Sequence, residues 1–435
     1  MHRRLAPTPP MGWNSWDCYG AAVNEEQLIA NAVYMAENLK DYGWEYIVCD
    51  IQWYEPTADC YYYHNFVPLC MDEYSRLIPS VERFPSSAGG MGFKPIADYI
   101  HSLGLKFGIH IMRGIPRQAV HSASPIKSNG KTARDIALQF SVCPWNTDMY
   151  GVNYKADGAQ DYYDSIFELY ASWGVDFVKC DDISNTEFLK DDPYSARKEI
   201  EMIRKAIDKC GRDIVLSLSP GPAPVWEHEH LAANANMWRM TGDFWDSWDK
   251  LYAMFERCHA WESYVQQGAW PDCDMLPLGR IQLTEKLIEY RGRYTRFTRD
   301  EQITMMTLWG IFRSPLMIGG EMRDNDEFTL SLLQNAELID MLKNSCGARQ
   351  FSRNETDGKG EIIWVSKGEN CKYVAFFNTD DEVREIEFDV TDIAMDGYDY
   401  GIWDMWLHKE IDVTPDKFYA NVNSHGARLF RIYMK

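Results

Sequence analysis

Residues Val175–Asp182 read VDFVKCDD, a short apolar run that closes on charged residues. Val, Phe and Val favour a pleated, buried strand, and the run is too short for a core helix. Gln160–Trp173, just before it, repeats its apolar residues at a period near 3.6 and predicts an amphipathic helix ending at Gly174. A helix feeding a buried strand through a tight turn is one unit of a parallel α/β sheet.

The same pattern recurs outward from this point. Strands are expected at Met11–Ser15, Trp44–Asp50, Leu105–Met112, Ile214–Ser219, Met237–Thr241, near Gln267–Asp272, and at Gly310–Ile318. Helices are expected at Glu25–Tyr42 and Ser195–Cys210. Eight strands alternating with helices predict an α/β (β/α)8 TIM barrel with enlarged loops. A doubly wound open sheet would want a glycine-rich phosphate turn after its first strand. MGWNSWD supplies none, and GGMG at 89–92 follows no strand and reads as a loop.

After Leu342 the period changes to two: EIIWVSK, KYVAFFN, EIEFDV, GIWDMWLHKE and ARLFRIYM alternate apolar with polar between turn residues. The expected organisation is a catalytic barrel over 1–343 and a C-terminal antiparallel β-sandwich over 344–435.

Lys and Arg total 44 against 65 Asp and Glu, a formal charge of -21. That sign repels a phosphate backbone and argues against nucleic acid as a partner. No run approaches about 18 uninterrupted apolar residues, so no membrane association is expected, and MHRRLAPTPPMGW lacks the apolar core of a secretory signal. Eleven cysteines with no C-x-x-C read as reduced thiols in a cytoplasmic protein, with Cys60 and Cys70 the one pair worth testing. The 16 Trp and 25 Tyr are a surplus that needs a use.

In a barrel the chemistry sits at the C-terminal strand ends, so polar residues closing a strand are the candidates. Alternate strand residues share a face, which points Lys179 and Asp181 into the mouth together, the cation keeping the carboxylate ionised. An ionised carboxylate there suits the nucleophile of a covalent glycosidase, with a second carboxyl about 5–5.5 Å away as acid and then base. Asp243, near Arg239, is the expected acid/base, protonated through desolvation among Trp238, Phe244 and Trp245. Asp182 points the other way and is expected to pack or cap. Asp50 and Asp272 also close strands, while Trp13, Trp16, Trp53 and Trp270 fall at strand ends where a ring can stack on a sugar. His228 and His230 have no third ligand at a metal spacing, so neither a metal nor a cofactor is expected.

Six segments in order, PPMGWNSWDCYG, GWEYIVCDIQW, FVKCDD, WRMTGD, WPDCDML and FRSPLMIGG, make the chain resemble glycoside hydrolase family 27, the α-galactosidase and α-N-acetylgalactosaminidase family. The resemblance implies a barrel followed by a β-sandwich and a retaining exo-α-glycosidase acting on an oligosaccharide or glycoconjugate. Asp181 takes the nucleophile position, Asp243 the acid/base position, and Lys179 and Arg239 sugar-binding positions. Asp50 matches the first of an aspartate pair that holds O4 and O6 in the galactosidases, with Trp16 as a wall of that subsite and Trp53 beside it. Ile51 stands where the second aspartate belongs, followed by Gln52 where many members have cysteine.

A buried carboxylate discriminates a hydroxyl in a way isoleucine does not. The resemblance also places Ser219 at the 2-substituent, its small size matching the N-acetylgalactosaminidase pattern. The expected substrate is a terminal α-galactosyl-type residue. Its alternatives are an α-N-acetylgalactosaminide, α-linked glucose as in isomaltodextranase-like members, or binding without catalysis.

Overall fold

The structure is a computed structural model that describes residues 2–393, 399–411 and 417–435. Eight parallel strands form one sheet: β1 (Met11–Asn14), β2 (Tyr46–Cys49), β3 (Lys106–Met112), β4 (Phe177–Asp181), β5 (Val215–Leu218), β6 (Met237–Arg239), β7 (Trp270–Asp272) and β8 (Leu316–Ile318). Their order is β7-β6-β5-β4-β3-β2-β1-β8, and a parallel bridge from Leu276, just beyond β7, to Ile318 of β8 joins the two ends. The result is the expected (β/α)8 barrel. Gly12 allows the close approach of β1 to β2, since a Cβ there would lie 2.5 Å from the Tyr46 carbonyl oxygen.

Helices stand between the strands along the chain, among them Glu25–Asn38, Lys94–Ser102, Ala159–Trp173 and Arg197–Lys209. The first opens with a capping box, in which the Asn24 side chain accepts from the Gln27 N–H and Gln27 reaches back to Asn24. One strand expectation needs correction. Gly310–Phe312 is the end of the helix Arg299–Phe312, and β8 begins only at Leu316. Every residue from Thr304 to Phe312 is buried, so this stretch carries no polar face to betray its helical period.

By their contacts the described residues form two compact units, one of residues 1–243, 267–295 and 316–326, the other of 244–266, 296–315 and 327–435. The second contains β9 (Cys346–Thr356), β10 (Lys359–Lys367), β11 (Cys371–Asn378), β12 (Arg384–Asp389), β13 (Tyr400–Asp404), β14 (Lys409–Glu410), β15 (Lys417–Val422) and β16 (Ala427–Met434). Six of these make an antiparallel sheet in the order β9-β10-β11-β16-β13-β14, and β12 pairs with β15. Alternate residues Val374 and Phe376 of β11, Ile386 and Phe388 of β12, and Phe418 of β15 share one core, with Phe376 and Phe418 stacked at 5.3 Å. No helix among the described residues is long and apolar enough to cross a membrane.

Candidate active site

Strand β4 delivers Asp181 at its last position, and its neighbour β3 delivers His110. His110 is fully buried, and its Nε2 lies 3.1 Å from Asp181 Oδ2, while Nδ1 has no hydrogen-bond partner. The proton therefore belongs on Nε2, which donates to the carboxylate. Asp181 Oδ1 accepts from the Asp182 N–H at 3.0 Å. Burial alone would raise the Asp181 carboxyl, but the His110 hydrogen bond, Lys179 and the Asp182 amide outweigh it and hold the group well below the usual carboxylate range. Asp181 is thus a fixed anion. Nothing in the sequence pattern singled out His110, because a lone histidine inside an apolar strand looks like any satisfied core residue.

Lys179 turns toward β2. Its Nζ lies 2.8 Å from Asp50 Oδ2, which also accepts from Asn14 Nδ2 at 2.7 Å, while Asp50 Oδ1 accepts from the Ile51 N–H at 2.9 Å. Burial opposes charge on Asp50, yet Lys179 and His110 prevail and lower its pKa. Lys179 is raised in return, burial being overcome by Asp50 and Asp181. The expected Lys179–Asp181 pairing is in this way shared: the lysine is bonded to Asp50 and acts on Asp181 through its field.

On β6, two strands from β4, Arg239 Nη2 lies 3.1 Å from Asp243 Oδ1 and 2.9 Å from Asp274 Oδ2. The Asp243 side chain is 64% exposed. The desolvated setting expected for it is therefore not present, and Arg239 is the group that orients it. Lys179, Ser219, Arg239 and Asp272 line one small cavity with Asn14 and Asp274. Ser219 is buried with its hydroxyl unpartnered.

Asp272 is buried, and its Oδ1 accepts from the Asp274 N–H at 2.9 Å. Burial, followed by the Asp274 charge, pushes it up to about 7. Asp17 joins this acidic group: it is buried, its Oδ2 has no hydrogen-bond partner, and burial then Asp274 raise it well above the usual range. Gly319 makes room for it, since a Cβ there would fall 2.0 Å from Asp17 Oδ2. Asp17 and Asp274 went unmarked in the sequence, the one following a strand and the other a turn, where a capping aspartate is the ordinary case.

A carboxylate raised in the fold makes stability fall as pH rises from the ordinary carboxylate range to its folded value. Asp272→Asn does not titrate, so its Tm relative to the parent should climb between pH 5 and about 7 and then level off, a trend followed by thermal unfolding in a pH series.

Trp16 belongs to a cluster of aromatic rings. Its ring lies 6.1 Å from Tyr63, near-parallel, and 5.6 Å edge-on from Tyr61, and Tyr63 lies 5.9 Å from Trp145. Trp53 is a correction: it is fully buried, donates from Nε1 to the His110 carbonyl at 2.7 Å, and packs edge-on against Tyr54, Phe93 and Trp173. Trp13 and Trp270 are likewise fully buried core rings. Ile51 is buried beside Asp50. Gln52, also buried, donates from Nε2 to Asp148 Oδ2 and is held by its neighbours in the loop.

Asp182 packs as expected, paired with Arg113 at 2.8 Å. Cys180 is buried and its thiol is pushed up by burial, so it is not a reactive group. None of the eleven cysteines forms a disulfide, Cys60 and Cys70 included. His230 contacts Tyr194 and Glu201 rather than serving in a histidine pair.

Two carboxyl groups of opposite setting stand at strand ends, Asp181 largely buried and fixed as an anion at the end of β4, Asp243 exposed and oriented by Arg239 after β6. Such a set can carry acid-assisted displacement at a sugar carbon. The family model described as "Alpha galactosidase A" matches residues 8–149 and 148–344, and that of the "Alpha galactosidase C-terminal beta sandwich domain" matches 359–432. The alpha-galactosidase of Cyamopsis tetragonoloba is 26% identical over 431 residues, covering 98% of this chain and 86% of that one. A family 27 β-L-arabinopyranosidase from Geobacillus stearothermophilus has a crystal structure that is 54% identical, covers 99% of this chain and 98% of that one, and superposes with a TM-score of 0.95. The chain belongs to the alpha galactosidase A family, glycoside hydrolase family 27, and is a glycoside hydrolase of the α-galactosidase type.

Proposed function

We propose that this hydrolase releases terminal pyranosyl residues of galacto configuration by double displacement, with retention, and that it favours β-L-arabinopyranosides over α-D-galactosides. The two sugars differ at one place: β-L-arabinopyranose is α-D-galactopyranose without the hydroxymethyl group on C5. Ile51 carries this choice, for an apolar, buried side chain stands where the family pattern has the carboxylate for O6. A sugar lacking that hydroxyl leaves nothing unsatisfied against it. The Geobacillus relative, an arabinopyranosidase by name, supports the same assignment.

In the reaction Asp181 attacks the anomeric carbon while Asp243 gives its proton to the departing glycosidic oxygen. A covalent glycosyl-enzyme results, and Asp243 then takes a proton from the water that hydrolyses it. The Asp243 proton must be stabilised in the complex, where a bound sugar excludes water from an otherwise exposed carboxyl. Asp50 accepts from O4, with Lys179 keeping it charged, and the Ser219 hydroxyl is free to meet the 2-substituent. Trp16 and Tyr63 offer ring faces to the sugar or its aglycone. The free cysteines favour a cytoplasmic, reducing setting.

The test is a set of initial rates on nitrophenyl β-L-arabinopyranoside, α-D-galactoside, α-N-acetylgalactosaminide and α-D-glucoside in one buffer. The arabinopyranoside should be fastest, the galactoside next. A clear lead for the galactoside would remove Ile51 from the argument. The first product seen by NMR should keep the anomeric configuration of the substrate, and inverted product would exclude a nucleophilic Asp181.

A further inference from the structure

The loop after β2 carries a second cluster of ligand-type side chains that the hydrolytic site does not use. Asp59, Cys60 and His64 each present a donor atom, and these atoms lie within 4.8 Å of one another. His64 Nε2 lies 3.5 Å from Asp59 Oδ1. Its other nitrogen, Nδ1, lies 3.2 Å from Oε2 of Glu55 and 3.2 Å from the Thr57 hydroxyl.

Glu55 is the informative neighbour. Its side chain is completely buried, yet Oε2 has no hydrogen-bond partner, while Oε1 accepts from the backbone N–H and hydroxyl of Thr57. The Thr57 hydroxyl gives its proton to Glu55 Oε1 and therefore accepts from His64 Nδ1, with the buried Glu55 carboxylate close behind, which places the imidazole proton on Nδ1 and leaves Nε2 as the lone-pair donor. Histidines that bind metals are commonly oriented in this way by a carboxylate behind them.

We propose that Asp59, Cys60 and His64 bind one Zn2+ ion through a carboxylate oxygen, Sγ and Nε2, with a fourth position open to solvent and Glu55 orienting His64 from behind. One sulfur, one nitrogen and one oxygen suit a borderline-soft ion and disfavour Mg2+ or Ca2+, which take oxygen alone. Binding converts the Cys60 thiol to thiolate and releases its proton to solvent. It also displaces Lys286, whose Nζ now lies 3.1 Å from Asp59 Oδ1 at a half-exposed position. The lysine is the resident cation of the cluster, and its half-exposed side chain has solvent to turn into.

The ion would clip a segment that shapes the sugar site. Tyr61 lies beside Cys60 in the chain and donates from its hydroxyl to the Asp17 carbonyl, and Tyr63, beside His64, stacks near Trp16. Both ends of this Tyr-x-Tyr stretch are thereby tied to one point, a non-catalytic role distinct from the displacement chemistry.

Co2+ titration of the full-length protein tests the site, because a thiolate ligand gives cobalt a sulfur-to-metal charge-transfer band. One equivalent should bind with that band, Zn2+ should displace it, and Cys60→Ser and His64→Ala should each abolish it. Glu55→Gln should retain the band with affinity weakened roughly 10- to 100-fold. Lys286→Ala should tighten binding, whereas an ordinary surface ion pair predicts no change. A band that survives Cys60→Ser, one lost instead in Cys346→Ser at the exposed thiol, or no binding of a full equivalent overturns the proposal.

Discussion

Asp181→Ala should lower kcat on the preferred nitrophenyl glycoside by about 10^4-fold or more, with the fold intact by circular dichroism and sugar binding retained. The size of the loss follows from how completely the site is built around this one anion. His110 on β3 donates to one oxygen and the Asp182 amide to the other, and Lys179 supplies field from within the same mouth. These groups are already arranged before substrate arrives, so they hold the attacking oxygen in place at no further cost in reorganisation. Removing the carboxylate leaves an oriented imidazole with nothing to orient. Azide fits the gap left by the shortened side chain, and added azide should restore turnover while yielding a glycosyl azide of inverted configuration. Retention of most of the parent activity would instead return the chain to the class of sugar binders with incidental hydrolysis.

Much of this site was legible because a strand reports direction. Once VDFVKCDD is a strand ending at the barrel mouth, Lys179 and Asp181 must share a face and Asp182 must leave it, and the structure has all three so arranged. The same logic failed for Trp53. Strand ends in a barrel serve both the mouth and the layer beneath it, and only packing against Phe93 and Trp173 distinguishes a core ring from a platform. Desolvation of Asp243 does not follow from its sequence for a related reason, since neighbouring aromatics in the chain do not fix how water reaches a side chain. His110, Asp17 and Asp274 act through partners remote in the chain, and no local pattern encodes such meetings. The start of β8 was obscured by a helix buried on all sides, where the polar stripe that marks a helical period is missing.

Ile51→Asp should shift the ratio of kcat/KM for α-D-galactoside over β-L-arabinopyranoside upward by roughly 10- to 100-fold. A hydrogen bond to a charged acceptor is worth about 1.5–3 kcal/mol, and only the galactoside has the hydroxyl to make it. The new carboxylate gains a partner with one substrate and remains buried and unsatisfied with the other, so the ratio moves through both terms. The surroundings set the cost. Position 51 is buried beside an anionic Asp50, and a second carboxylate there adds desolvation and like-charge repulsion, which should lower Tm in the free enzyme and recover part of the loss when galactose is added. Ile51→Ala separates polarity from space: it opens the same volume without an acceptor. If alanine shifts the ratio as far as aspartate, the isoleucine excludes the hydroxymethyl group by bulk; if only aspartate does, the subsite selects by the hydrogen bond it withholds. An unchanged ratio in both variants would place the C5 substituent elsewhere in the pocket and end the case for Ile51 as the residue that reads it.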